Sequence, residues 1–160
     1  MLAFAVAMIA CHGCATNQFA NDALCGEIAD FANSVLGSDS HRVELKTDWG
    51  GQFEPKNANT IVLAAKHCDA FEYPPGEKLC GYLLKNTSTE FSESNLNRVL
   101  ACFGALGPRA VDSVEYDRTR LWSYSSHGVR TNVRVGVDYA PSSDTQPPTL
   151  NILAEGLEDP

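Results

Sequence analysis

Basic residues are scarce in this chain. No Lys or Arg occurs before Arg42, and Lys plus Arg total 12 against 20 Asp plus Glu, a formal net charge of −8. Phosphate binding runs largely on neutralisation by Lys and Arg, so the balance argues against nucleic acid. The same deficit argues against anionic lipid headgroups, which leaves a lipid anchor as the expected route to a membrane. Electrostatic steering makes a basic protein or a cationic surface the more natural partner. No apolar run approaches the roughly 20 residues that a bilayer-spanning helix needs.

Signatures of chemistry are missing as well. The chain has no GxSxG elbow, no HExxH helix and no Gly-rich phosphate loop. Its His residues stand at 12, 41, 67 and 127, with no two at ligand spacing on one expected helix. Cys11-His12-Gly13-Cys14 has CxxC spacing, but no second CxxC exists to complete a zinc site. His67 and Cys68 are neighbours, and neighbours on a strand face opposite ways, which disfavours a base–nucleophile pair. No catalytic residue, metal ligand or cofactor is therefore assigned.

What the chain does have begins with its N-terminus. Leu2 to Ala10 is a short apolar run followed by small residues at Ala10, Gly13 and Ala15. That pattern predicts an export signal over residues 1–15, although the usual basic n-region is missing. Met8-Ile9-Ala10-Cys11 resembles a bacterial lipobox, with Met8 where Leu is usual. Lipidation is accordingly expected at Cys11 or Cys14. Residues 16–160 then form a single domain, the size of one ordinary folding unit.

The Cys residues lie at 11, 14, 25, 68, 80 and 102. Cleavage near Cys14 or Thr16 leaves four, an even set suited to an oxidising compartment. Of the three pairings, Cys68–Cys80 and Cys25–Cys102 are favoured. The first closes a short loop across Tyr73-Pro74-Pro75-Gly76, and the second ties the first helix to the third. Loop-closure entropy assigns them about 3 and about 4–5 kcal/mol respectively. Buried free thiols in a cytosolic protein are the competing reading.

Helical spacing of Leu24, Ile28, Phe31 and Val35 predicts a helix from Asn21 to Leu36, with Asn21 as N-cap and Gly37 as stop. Val43, Leu45, Thr47 and Trp49 alternate with Arg42, Glu44, Lys46 and Asp48, as in a half-buried strand. Thr60 to Lys66 is strand or helix; periodicity does not decide. A second helix is expected from Glu77, carrying Leu79, Leu83 and Leu84. A third spans Glu93 to Phe103, with Ser92 as N-cap.

The last third reads as sheet. Val114 to Tyr124 is extended, and Val129 to Tyr139 alternates Val with polar residues, so the two should form a hairpin. Val133, Val135 and Val137 belong to the dry face, with Arg130, Asn132 and Arg134 on the wet one. Leu150 to Ala154 makes a last strand. The fold class is α+β: an antiparallel sheet of about four strands with helices packed on one face.

In overall form the chain resembles the periplasmic immunity proteins that bacteria pair with type VI secretion amidase effectors. The shared features are a leader ending near Met8-Ile9-Ala10-Cys11, a short acidic mature domain, paired cysteines such as Cys68 and Cys80, and no enzymatic motif. The resemblance implies an exported binding protein, in the periplasm or on the outer membrane, that plugs the groove of a cell-wall amidase toxin. The expected contact is the hairpin tip Ser125, Ser126, His127 and Gly128, flanked by Trp122 and Tyr124. Alternatives are an envelope lipoprotein or an enzyme whose site assembles only in three dimensions, and a small-molecule binder.

Overall fold

The computed structural model describes residues 22–49, 64–103, 109–115, 118–123 and 128–157, with side chains left undescribed over 109–119. The expected leader, the lipidation candidates Cys11 and Cys14, and Tyr124, Ser125, Ser126 and His127 lie outside the described residues.

The fold is α+β. Three helices, α1 (Ala23–Asn33), α2 (Pro74–Asn86) and α3 (Ser92–Cys102), pack on one face of an antiparallel sheet. Its strands are β1 (Ser40–Trp49), β2 (Ala64–Asp69), β3 (Arg109–Glu115), β4 (Arg118–Ser123), β5 (Val133–Ala140) and β6 (Thr149–Gly156). They lie in the order β2-β1-β6-β5-β4-β3, six strands instead of about four. Two features raise the number. Residues 64–69 are extended, so the described end of the ambiguous apolar run, residues 64–66, is strand, while residues 60–63 lie outside the described residues. The segment expected as extended from Val114 to Tyr124 contains β4 and only the last two residues of β3, a strand that begins at Arg109 and pairs antiparallel with β4.

The core is the layer between helices and sheet. Val43 and Leu45 of β1, Val133, Val135 and Val137 of β5, and Leu150, Ile152 and Ala154 of β6 are buried on one side. Leu24, Ile28, Phe31, Leu79, Leu83, Val99 and Phe103 meet them from the helix side. Each large side chain fully withdrawn from water contributes about 1.5–3 kcal/mol. The Val alternation in β5 therefore has the register that the sequence predicts, since a slip of one residue would turn every Val outward.

Both expected disulfides are present. Cys25–Cys102 joins α1 to α3 with 5.0 Å between Cα atoms, and Cys68–Cys80 joins β2 to α2 at 5.5 Å. Two such bridges suit an oxidising, extracytoplasmic compartment. Among the described residues no helix is long and apolar enough to cross a membrane.

Helix ends differ from expectation for local reasons. Asp22, not Asn21, caps α1: its carboxylate accepts from Leu24 N at 3.0 Å. The helix ends at Asn33, and Gly37 takes a left-handed φ of +54° four residues further on. Helix α2 begins at Pro74, three residues before Glu77, because proline's fixed φ suits a first turn whose N–H groups need no helical partner. Ser92 is the first residue of α3, not its cap. Its hydroxyl instead hydrogen-bonds the phenol of Tyr139 on β5 at 2.9 Å, and burial of that phenol pushes its pKa up.

The start of β5 also departs from the expected Val129. Asn33 on α1 donates to the Gly128 carbonyl at 2.7 Å and accepts from Arg130 N at 2.8 Å. Those backbone groups are thereby satisfied off the ladder, and pairing starts at Val133.

Candidate functional site

The sheet face opposite the helices is the polar one, and cross-strand register determines which side chains meet on it. Glu44 of β1 stands opposite Asn151 of β6, Asn151 opposite Asp138 of β5, and Asp138 opposite Arg120 of β4. One row of polar side chains thus crosses four strands. Beside it runs a second row: Arg42 opposite Leu153, Leu153 opposite Gly136, and Gly136 opposite Trp122.

At the β4–β5 end, Trp122 lies flat over Gly136. A Cβ at Gly136 would sit 2.7 Å from the indole, so only glycine admits this contact. The Arg134 guanidinium stacks on the ring at 4.4 Å from its centroid. Glu155 of β6 holds that guanidinium through Nε at 2.9 Å and Nη2 at 2.7 Å, both to the same oxygen. Indole, guanidinium and carboxylate are each fixed by the next.

Towards β1 the face sinks into a concavity of about 590 Å³. Arg42, Glu44, Lys46, Arg120, Asp138 and Asn151 supply its polar lining, and Gln146 and Pro147 of the β5–β6 loop close one side. Lys46 pairs with Glu44 at 2.7 Å, and Arg120 with Asp138 at 3.1 Å. The Arg42 guanidinium lies 4.3 Å from the Phe71 ring centroid. Asn151 donates weakly to the Asp138 carbonyl at 3.5 Å, while its own Oδ1 is shut off from water without a hydrogen-bond partner.

A smaller cleft of about 170 Å³ lies at the end of β1, between Thr47, Asp48 and Trp49 on one side and Thr89, Glu90 and Ser92 on the other. Here the expected alternation fails: Asp48 is buried and Trp49 is 61% exposed. These residues extend past the last β1–β6 pair, Lys46 with Thr149, and remain paired with β2 through Asp48–Ala65 and Trp49–Ala64.

The residues anticipated as a contact surface are thus divided. Trp122 is on the open sheet face. Gly128, with φ +78°, is exposed and carries the carbonyl held by Asn33. Tyr124, Ser125, Ser126 and His127 fall outside the described residues. Arg134 lies on the wet face as expected. Arg130 does not belong to that row: it precedes β5, and its guanidinium bonds back to the Val35 carbonyl after α1. Cys68 is consumed in a disulfide, so the neighbouring His67 has no thiol to activate.

Asn151, Asp138 and Arg120 were not anticipated as site residues. The only sequence signal was that each occupies a polar position alternating with apolar ones. Among the described residues no group of His, Cys, Asp or Glu could hold a metal ion. Comparison with protein-family models, curated proteins and solved structures finds no match to this chain.

Proposed function

We propose that this chain is an exported binding protein that engages another protein through the sheet face that no described helix covers. The observation that carries the reading is the Trp122–Arg134–Glu155 cluster. Trp and Arg are enriched among residues that dominate binding energy. Here both are held in place before any partner arrives, by Gly136 beneath the indole and Glu155 beside the guanidinium. A pre-ordered anchor forfeits less entropy on association.

The two disulfides support a site of action in the periplasm or at the outer membrane, the second through a lipid on Cys11 or Cys14. The form of the chain, similar to immunity proteins of amidase effectors, supports a secreted cell-wall amidase as the partner. The domain would occlude that enzyme's groove and protect the cell that makes both.

The test pairs the chain from Thr16 onward with a purified secreted cell-wall amidase, taken from the neighbouring gene where that gene encodes a hydrolase. Calorimetry should give a dissociation constant below about 1 μM, and peptidoglycan hydrolysis should stop at equimolar inhibitor. Trp122→Ala and Arg134→Ala should each weaken binding by about tenfold or more. Tight binding that neither substitution alters would move the interface off this face. Absence of binding to the hydrolase would remove the amidase as partner.

A further inference from the structure

The sheet face opposite the helices carries two arginine–aromatic pairs, Arg134 on Trp122 and Arg42 on Phe71. The row Arg42, Leu153, Gly136 and Trp122 joins them across β1, β6, β5 and β4. Three strand spacings of about 4.8 Å put about 14 Å between its ends. A standard protein interface covers about 800 Å² on each side, enough to contain both pairs. We infer that the Arg42–Phe71 pair is a second anchor of the protein interface on this face. The partner meets it with a loop that carries an Asp or Glu carboxylate beside an apolar side chain. The inference rests on the reading above that this face binds a protein.

The backbone marks Phe71. Phe71 and Glu72 are consecutive residues with φ of +53° and +62°. Left-handed backbone disfavours any residue with a Cβ, and bulky side chains are rarest there. The conformation persists because the turn is fixed on both sides. Cys68 is bridged to Cys80, and Asp69 Oδ1 accepts from Phe71 N at 2.7 Å. Tyr73 stacks on His41 at 3.6 Å and shares a 2.9 Å hydrogen bond with Ser34. Backbone energetics alone favour glycine at position 71. The phenyl ring gains little burial in exchange, since Phe71 is 46% exposed. A strained backbone that holds an aromatic ring in solvent is what a contact residue requires.

Charge sets the chemistry of the partner. The concavity beside Arg42 holds two other cations, and each has its carboxylate: Lys46 with Glu44 and Arg120 with Asp138. Arg42 is exposed and makes no ion pair among the described residues. Its guanidinium is stacked on Phe71, which leaves N–H groups at its edge to donate. A partner that covered this charge without a counter-ion would carry the cost of a buried unpaired ion. A carboxylate takes the guanidinium edge through two parallel hydrogen bonds, while an apolar neighbour covers the exposed part of the ring.

The test uses the chain from Thr16 onward and the purified amidase named above. Arg42→Ala and Phe71→Ala should each weaken binding by about tenfold, and Arg42→Glu by about a hundredfold. Raising NaCl from about 50 to about 500 mM should weaken the wild-type complex more than the Arg42→Ala complex. Lys78→Ala, on the helix side, should bind as the wild type does. The strain is read without a partner. Phe71→Gly should melt about 3 °C above Phe71→Ala, because both lose the ring and only glycine relaxes at positive φ. A complex weakened by Trp122→Ala but not by Arg42→Ala or Phe71→Ala would overturn this inference and leave the protein-binding reading standing. A tight complex that none of the three alters would overturn both. Equal melting of the Gly and Ala variants would overturn the inference whatever the partner.

Discussion

Asp22 and Arg98 meet fork to fork: Arg98 Nε donates to Asp22 Oδ2 and Nη2 to Oδ1, both at 2.9 Å. Oδ1 also accepts from Leu24 N, so one carboxylate caps α1 and joins it to α3. The Arg98 hydrogen bonds, foremost, hold the Asp22 carboxyl below its ordinary pKa, and Asp22 in turn raises that of Arg98. A depressed folded pKa contributes stability that is full above the unfolded value, about 3.9, and is lost as pH falls through the lower folded value. Asp22→Ala should cost about 1–2 kcal/mol at neutral pH. Urea unfolding from neutral pH to about pH 2.5 should show the difference from wild type shrinking below about pH 4. A difference that does not vary with pH would show that the charge has no part in it.

The disulfides close loops of very different length, with sequence separations of 77 and 12. Chain entropy makes the long one worth about 4.5 kcal/mol and the short one about 3. Cys25→Ser with Cys102→Ser should therefore lower the unfolding free energy more than Cys68→Ser with Cys80→Ser. Denaturant titration of the two double variants checks the order. The reverse order would mean that packing around β2 and α2 outweighs loop closure.

Gly136→Ala should displace the Trp122 indole, since the new methyl would lie within 2.7 Å of the ring. Overpacking of this kind costs about 1–3 kcal/mol. Because the indole lies on the open face, the loss should appear with a red-shifted fluorescence component, and the helix-side core should remain intact. An unchanged emission spectrum and midpoint would contradict the placement of Trp122.

Gly156 is the stricter glycine. A Cβ there would fall 1.7 Å from the Gly37 carbonyl oxygen, a backbone atom that no rotamer change can move. Gly156 N also bonds Asp39 O at 3.0 Å, which keeps the two segments in close approach. Gly156→Ala should cost at least about 2 kcal/mol, visible as a lowered thermal midpoint. A midpoint within about 1 °C of wild type would show that the 37–39 turn is free to retreat.

Local pattern alone determined a large part of this protein. The alternation of Val133, Val135 and Val137 marked the dry face of β5, and Leu24, Ile28 and Phe31 marked that of α1. Such periodicities report burial directly, because each side chain's direction follows from backbone geometry a few residues long. Cysteine parity with two apolar stripes was sufficient to favour Cys25–Cys102 and Cys68–Cys80.

Only the tertiary structure decided what stands beside what. Glu44, Asn151, Asp138 and Arg120 form one row because β6 inserts between β1 and β5, a pairing that joins residues about a hundred positions apart. No local signal encodes that register. The return of Arg130 to the end of α1 and the burial of Asp48 have the same origin. Each is set by neighbours that arrive from elsewhere in the chain, whereas periodicity describes one segment at a time.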